Sequence, residues 1–198
     1  MDEHEIDIQL MLGIKEGDKK AFESLYQRYR SRLFNYLFRL SWNRHTAEDC
    51  LQEVFYRIWR SAGDYRIEGK ASSYIFRIAH NYWINEGKKK RPSLFGNLAG
   101  NDEEGESPEA RVEGSEPRPE EGMMRREVQK QVRSALDGLP DHEREVVLLS
   151  EFEGFKYEEI GRILGIPEGT VKSRMFSAVR RLRERLHPYL EEGKPAGE

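Results

Sequence analysis

The sequence predicts an all-α protein made of two small helical domains that are joined by a flexible acidic linker. Apolar residues recur at helical spacing in both halves of the chain, and neither half shows an alternating strand pattern or a hairpin turn signal. A segment rich in Gly, Pro, Ser and Glu separates the halves and has too little apolar surface to fold. We therefore predict an N-terminal domain at residues 1–91, a linker at 92–122, a C-terminal domain at 123–190 and a disordered tail at 191–198.

Four helices are predicted in the N-terminal domain. The first covers about residues 5–16, and Asp18 can cap the second. Thr46 opens a Thr-x-x-acid signal for the start of the third helix, and the fourth follows a polar loop at residues 64–70. The inward stripe of the second helix comprises Phe22, Leu25, Tyr26, Tyr29, Leu33 and Leu37.

The net charge of −3 hides an uneven distribution along the chain. Residues 1–90 carry a net charge of +3, residues 91–122 carry −6 and residues 123–198 carry zero. The N-terminus is acidic and no apolar run is long enough to span a bilayer, which favours a cytoplasmic protein. Cys50 is the single cysteine, and no His and Cys cluster has metal-ligand spacing, so we predict no internal disulfide, no metal and no cofactor.

The C-terminal domain contains the pattern of a helix-turn-helix. Helices are predicted at about residues 123–136 and from Asp141, followed by a short helix at 157–164, a turn at Gly165-Ile166-Pro167 and a long helix at 168–186. Glycine at the turn permits a positive φ, and Gly161 leaves room for the long helix to cross closely. The expected inward stripe of the long helix is Val171, Met175, Val179, Leu182 and Leu186.

The outward face of the long helix suits the major groove of DNA. In such motifs the first residues of the second helix contact base edges and the later basic residues contact phosphates. Residues 168–187 hold six cations and two acids. The alternative, a helical hairpin whose basic face is merely solvated, remains open. The predicted DNA-binding residues are Glu168, Thr170, Lys172, Ser173, Arg174, Ser177, Arg180 and Arg181.

Several segments resemble those of a known family. The stretch from Glu143-Arg144-Glu145-Val146-Val147 to Val171-Lys172-Ser173-Arg174 resembles the C-terminal domain of extracytoplasmic-function sigma factors, in the sigma-70 superfamily. The N-terminal half has two further matches: Ala47-Glu48-Asp49-Cys50-Leu51-Gln52-Glu53-Val54-Phe55 resembles the polymerase-binding helix, and Tyr74-Ile75-Phe76-Arg77-Ile78-Ala79-His80-Asn81 resembles the promoter-melting helix. The resemblance covers about residues 10–90 and 123–187, in the family order.

The resemblance implies a sigma factor with no enzymatic activity of its own. It would bind core RNA polymerase, at the clamp of the largest subunit and the flap of the second-largest, and recognise the −35 and −10 elements of promoter DNA. An anti-sigma factor is the expected regulator, and no small-molecule substrate or membrane insertion is implied. The linker would either lie near the polymerase cleft or act as a passive tether.

The resemblance also implies which residues form two further sites. Asp49, Gln52, Glu53 and Arg57 would contact the polymerase, although the face they form would also suit a solvated helix. The residues implied for −10 binding are Tyr65, Lys70, Ser73, Tyr74, Arg77, His80, Asn81 and Lys88. Tyr74 stands where Trp is frequent in the family and His80 where Arg is frequent, and core packing is an equal alternative for each aromatic residue.

Two other classes of protein remain as alternatives. A response-type regulator would use the same helix-turn-helix to bind operator DNA as a dimer, without polymerase. An interaction protein that sequesters a sigma factor would lack a DNA-reading helix. The second motif-bearing domain and the long basic helix favour the sigma factor over both.

Overall fold

All the regular structure that the computed structural model describes is helical, as predicted. It describes the backbone of residues 2–94 and 119–192, and the side chains of residues 2–85 and 127–187. The α-helices are α1 (Glu3–Lys15), α2 (Lys19–Ser41), α3 (Arg44–Ser61), α4 (Ala71–Leu94), α5 (Pro119–Asp137), α6 (Asp141–Val147), α7 (Tyr157–Leu164) and α8 (Glu168–Glu192). A short 3₁₀ helix, Ala62–Asp64, follows α3, and a π-helical turn, Leu148–Phe152, follows α6.

Helices α1 to α4 pack around a core at the centre of α2. The predicted α2 stripe is confirmed, with Leu25, Tyr29, Leu33 and Leu37 buried and Phe22 and Tyr26 packed at its margin. From α4, Phe76 is fully buried and meets the Tyr36 ring edge-on at 5.5 Å between centroids. Burial of these large side chains supplies most of the stability of such a unit.

Helix α3 begins earlier than the sequence pattern predicts. The cap is Asn43, whose Oδ1 accepts a hydrogen bond from the backbone N–H of Thr46 at 2.9 Å. Thr46 was expected to cap the helix with its side chain, and that prediction is wrong. Asparagine is at least as good a cap as threonine, and it offers the same acceptor three residues earlier. Asp18 caps α2 as predicted.

Replacing Asn43 with alanine should therefore lower the free energy of unfolding by about 1 kcal/mol, the usual cost of losing a cap side chain. Thr46→Ala is the matched control, because it keeps the Asn43 cap and introduces a better helix former. Urea unfolding followed by circular dichroism compares the two variants. If Thr46→Ala lowered the free energy of unfolding more than Asn43→Ala does, the helix would begin at Thr46.

A buried carboxylate attaches α1 to α2. Asp7 is 6% exposed and accepts hydrogen bonds from the hydroxyl of Tyr29 and, at 2.9 Å, from Nε of Arg28. Burial and this hydrogen bond raise the pKa of Tyr29 well above its usual value, so Tyr29 remains a donor. The arrangement fixes the position of α1 by directional bonds as well as by apolar packing.

Helices α5 to α8 form the C-terminal unit, with α5, α6 and α7 all packed on α8. The inward stripe of α8 differs from the prediction at one position. Ala178 is fully buried, whereas Val179 is 45% exposed, so that part of the expected stripe is wrong. Residues 171, 175, 178 and 182 follow helical spacing on one face, and residue 179 lies about 100° further round.

The predicted linker falls largely outside the described residues, which omit 95–118. Helix α4 continues to Leu94 and α5 begins at Pro119, so helices extend into both ends of the 92–122 segment. The predicted tail overlaps the end of α8 at Glu192, and residues 193–198 lie outside the described part. Among the described residues, no helix is long and apolar enough to cross a membrane.

Candidate nucleic-acid interface

A cleft of about 510 Å³ lies between the loop that follows α3, the start of α4 and helix α7. Its lining comprises Asp64, Tyr65, Arg66, Glu68, Gly69, Lys70, Ser73, Tyr74, Arg77 and Arg162. Gly69 adopts a φ of +84°, which allows the loop to turn before α4 begins. The backbone N–H groups of the first turn of α4 lie next to this loop, and a helix N-terminus favours negative charge.

Two tyrosines form an aromatic wall in the cleft. The rings of Tyr65 and Tyr74 meet edge-on with their centroids 5.1 Å apart. Tyr65 is buried, which raises the pKa of its hydroxyl, and Tyr74 is partly exposed, with its hydroxyl 3.0 Å from Oγ of Ser61. Tyr74 is therefore the more accessible of the two rings, and Tyr65 supports it from below.

Cationic groups surround the tyrosines. The Arg77 guanidinium lies 5.5 Å from the centroid of the Tyr74 ring, and Lys70 Nζ lies 2.9 Å from Oε1 of Glu159. Arg66 and Arg162 complete this set, and neither was among the predicted site residues. Arg66 is a cation in the predicted loop, so sequence offered a signal for it. Arg162 reaches the cleft from α7 through tertiary packing, for which the sequence gives no local signal.

The eight residues predicted for −10 binding do not all meet in the cleft. Tyr65, Lys70, Ser73, Tyr74 and Arg77 line it. His80 is buried about one turn beyond Arg77 on α4, with Nδ1 2.9 Å from Oε1 of Glu145, and Asn81 is exposed beside it. Lys88 belongs to α4, but its side chain lies outside the described ones.

Glu159, at the first turn of α7, binds two groups. Its Oε2 accepts the backbone N–H of Lys156 at 2.8 Å and its Oε1 accepts Nζ of Lys70. Burial alone would raise the pKa of this carboxyl, but the hydrogen bonds from Lys156 and Lys70 outweigh burial and hold its pKa below the usual 4.5. The carboxylate replaces the side-chain cap that Lys156 does not provide.

The lowered pKa of Glu159 gives a pH-dependent stability with a defined sign. A carboxyl whose pKa is lower in the folded state stabilises fully above its unfolded pKa, and the effect is lost as pH falls through the folded pKa. The melting temperature of Glu159→Gln should thus lie below that of the wild type at neutral pH, and the gap should close below about pH 4.5. The control is Glu158→Gln, at an exposed neighbouring residue, and its melting temperature should stay close to that of the wild type at every pH. A Glu159→Gln gap of constant size down to low pH would contradict the assignment.

The helix-turn-helix has the predicted geometry. Gly165 adopts a φ of +67°, and the N–H of Ile166 bonds to the carbonyl of Gly161 at 3.0 Å. A Cβ on Gly161 would lie 2.8 Å from the carbonyl oxygen of Ile166, so the turn closes directly over this glycine. Helix α8 then starts at Glu168, as predicted.

All eight residues predicted for −35 binding lie on α8. Thr170, Ser173, Arg174 and Ser177 line a shallow groove with residues 142 and 143 of α6. Arg180 and Arg181 lie seven residues beyond Ser173 and Arg174, two turns along the same face. The face is therefore continuous from the start of the helix, with small polar side chains first and cations further along.

Ion pairs hold several of these side chains in place. Lys172 Nζ lies 2.7 Å from Glu168, and this hydrogen bond raises the pKa of Lys172. Nε of Arg181 lies 3.2 Å from the buried carboxylate of Glu143, which attaches the middle of α8 to α6. The Lys172–Glu168 pair is exposed, and exposed ion pairs contribute little stability. Lys172 would therefore be easily released to a phosphate.

The outward face of α3 presents the four residues predicted for polymerase binding. Asp49 and Gln52 are exposed, and Glu53 and Arg57 pair at 2.8 Å. Tyr56, which was not among the predicted residues, is 53% exposed between them. Its exposure could be read from its position outside the apolar stripe, and a half-exposed tyrosine is typical of a protein-binding surface.

Comparison with known proteins gives consistent matches over both halves. Residues 25–92 match Sigma-70 region 2, and residues 129–182 match Sigma-70, region 4. The RNA polymerase sigma-H factor of Pseudomonas aeruginosa is 32% identical over 192 residues, which cover 95% of this chain and 97% of that protein. The ECF RNA polymerase sigma factor SigW of Bacillus subtilis is 31% identical over 173 residues, which cover 87% of this chain and 92% of that protein.

A solved structure has the same fold. The sigma factor RpoE from Bartonella quintana, in complex with the anti-sigma factor NepR, superimposes with a TM-score of 0.65 at 24% identity. The match covers 85% of this chain and 98% of that one.

Proposed function

Because the chain belongs to the extracytoplasmic-function RNA polymerase sigma factors of the sigma-70 family, we propose that it directs promoter-specific initiation through three separate surfaces. The polar and cationic face of α8 reads the −35 element. The cleft between the loop that follows α3, the start of α4 and α7 holds the −10 element, and the outward face of α3 binds core RNA polymerase. The observation that supports the proposal is that one chain presents two cation-rich surfaces: the cleft at the start of α4 and the outward face of α8.

At the −35 element, α8 would lie in the major groove with its N-terminus towards the bases. Thr170, Ser173 and Arg174 line the groove in the first two turns of α8, and an arginine can bond two acceptors of a guanine at once. Arg180 and Arg181, two turns later, suit the phosphates beside the groove. Glu168 and Lys172 complete the predicted contacts at the helix start.

At the −10 element, the cleft has the chemistry needed for an unstacked base. A flipped base stacks on an aromatic face, and its backbone is attracted by nearby cations. Tyr74 supplies the ring, while Lys70, Arg77 and Arg66 supply positive charge around it. Ser73 also lines the cleft, although its hydroxyl is buried.

The remaining parts of the proposal concern partners and organisation. The face of Asp49, Gln52, Glu53 and Arg57, extended by Tyr56, would contact the clamp of the largest polymerase subunit, and the C-terminal domain the flap of the second-largest. The domains would be residues 1–91 and 123–190, with 92–122 as the acidic linker and 191–198 as a tail. The chain would act in the cytoplasm as a DNA-binding adaptor that leaves catalysis to the polymerase, under the control of an anti-sigma factor.

Promoter-directed transcription with purified core polymerase tests the proposal. A base-reading arginine is worth about 1–3 kcal/mol, so Arg174→Ala combined with Arg181→Ala should reduce initiation at least about tenfold. Binding to the polymerase clamp through α3 should be unchanged, since neither residue lies on that helix. The control is Arg183→Ala, which removes a cation from the opposite side of α8 and should retain most of the activity.

Two results would contradict the proposal. If the chain neither binds core polymerase nor initiates with it, yet protects DNA alone, it acts as an operator-binding regulator. If the double variant and Arg183→Ala lose activity equally, α8 supplies only general positive charge and does not read the −35 element.

A further inference from the structure

The cleft at the start of α4 has the size and the walls of a small-molecule site. Its volume is about 510 Å³, and small-molecule sites in proteins usually enclose about 300–1,000 Å³. The loop before α4 and the first two turns of α4 form two of its walls, and Arg162 enters from α7. A small ligand in the cleft would therefore be surrounded by residues of both matched regions.

Positive charge in the cleft exceeds what one base of a DNA strand requires. A nucleotide within a strand carries a single phosphate charge. Four cations surround the one partly exposed ring of the cleft, that of Tyr74. A ligand with several phosphates on one aromatic base matches this charge better than a strand does. The charged lining residues are the cations Arg66, Lys70, Arg77 and Arg162 and the acids Asp64 and Glu68.

Most of this positive charge can turn to a ligand at little cost. Arg66 and Arg77 form no ion pair among the residues whose side chains are described. Arg162 pairs with Glu158, but both side chains are more than half exposed, and exposed pairs contribute little stability. The ammonium group of Lys70 has three N–H donors and uses one of them for its bond to a carboxylate of α7.

The start of α4 offers backbone donors to a phosphate group. Intrahelical bonding begins with the N–H of Ser73, which donates to the carbonyl of Lys70 at 3.0 Å. The N–H groups of residues 71 and 72 therefore have no acceptor within the helix. Gly69 lets Arg162 lie against the loop beside them, since a Cβ at position 69 would be 2.8 Å from Nη1 of Arg162. Backbone donors at a helix start, with cations beside them, suit a bound phosphate group.

The aromatic wall suits the base of the same ligand. The Tyr74 ring is partly exposed, and Tyr65 supports it edge-on with the centroids 5.1 Å apart. The Arg77 guanidinium lies 5.5 Å from the centroid of the Tyr74 ring, and its side chain is exposed and can move outward. Bases stack on aromatic rings and on guanidinium planes, so a base can lie on Tyr74 with Arg77 over its outer face.

We propose that this cleft binds a free nucleoside 5′-triphosphate, with its base on Tyr74 and its phosphates between Arg162, Lys70 and the first turn of α4. The site itself rests on the geometry of the cleft. Its consequence rests on the proposed function, because the nucleotide takes the ring and the cations that a −10 base would use. The two ligands then compete, and promoter recognition depends on the concentration of free nucleotide.

Isothermal titration calorimetry on the full-length chain tests the proposal, with ATP, AMP and inorganic triphosphate as the probes. ATP should bind with a Kd below the millimolar range. AMP lacks two phosphates and inorganic triphosphate lacks the base, so each should bind at least about tenfold more weakly than ATP.

Three variants locate the site. Arg162→Gln should weaken ATP binding about tenfold, the usual effect of losing a charge-assisted hydrogen bond. Arg30→Gln is the matched control: it makes the same charge change at an exposed position of α2 outside the cleft and should bind ATP as the wild type does. Tyr74→Leu removes the ring and should bind ATP no more tightly than inorganic triphosphate. Circular dichroism shows whether each variant folds, and the exposed Arg162 still tests the site if Tyr74→Leu does not fold.

The proposal is overturned if ATP does not bind the wild type below the millimolar range. It is also overturned if AMP or inorganic triphosphate binds as tightly as ATP, or if Arg30→Gln and Arg162→Gln weaken binding equally, since general positive charge would then be responsible. Failure of the proposed function gives a different result. A single-stranded −10 oligonucleotide would then not compete with ATP and the chain would not initiate transcription with core polymerase, while ATP would still bind.

Discussion

Phe76→Ala should lower the free energy of unfolding by about 3–5 kcal/mol, the usual cost of removing a buried phenylalanine. Phe76 is fully buried on α4 and meets the rings of Tyr36 and Phe155. The Arg32 guanidinium lies 5.4 Å from the centroid of its ring. Because these partners come from α2 and from the segment before α7, the cavity cannot be closed by the movement of one helix. Urea unfolding of the full-length chain measures the loss.

Phe176→Ala is the matched control for this prediction. Phe176 is 73% exposed on α8, so the same substitution should change stability by no more than about 0.5 kcal/mol. A loss below about 1 kcal/mol for Phe76→Ala would mean that the packing around α4 is looser than described. A large loss for Phe176→Ala would mean that this side chain is covered in solution.

Asp7→Ala should cost about 2–4 kcal/mol, because the substitution leaves the buried hydroxyl of Tyr29 without its acceptor and Arg28 without its partner. Asp7→Asn keeps one acceptor oxygen and should cost less. Thermal unfolding followed by circular dichroism ranks the variants.

The control for Asp7 is Glu48→Ala, which breaks the exposed Arg44–Glu48 pair on α3 and should cost only about 0.3–0.5 kcal/mol. If Asp7→Ala were as mild as Glu48→Ala, water would have to replace the lost acceptor, and α1 could not be held as closely as the structure shows.

The sequence predicted best what depends on local chemistry. The α7 bounds, the positive φ at Gly165, the Asp18 cap and the start of α8 at Glu168 all follow from residues within one or two turns of each other. The α2 stripe also follows, because a long amphipathic helix repeats its signal over several turns.

The failures occur where two local signals compete or where tertiary packing decides. The Thr-x-x-acid signal placed the predicted start of α3 at Thr46, whereas the better cap, Asn43, lies three residues earlier. Val179 is more apolar than Ala178, yet residue 178 is the one that shares a helix face with residues 171, 175 and 182. The hydrogen bonds of Asp7 and the entry of Arg162 into the cleft join residues that are distant in the chain, so no periodicity indicates them.

The π-helical turn at Leu148–Phe152 sets the direction in which the residues directly after it leave the helix. A π turn accommodates about one residue more than an α turn, and each residue of an α-helix adds about 100° of rotation. Glu145 lies before the turn, whereas Glu153 and Phe155 lie just after it. Deleting one residue within the turn would leave Glu145 beside His80 of α4. The same deletion would turn Glu153 away from Arg32 and Phe155 away from Phe76. The number of residues in this turn, rather than any particular side chain, thus determines whether these contacts can all form at the same time.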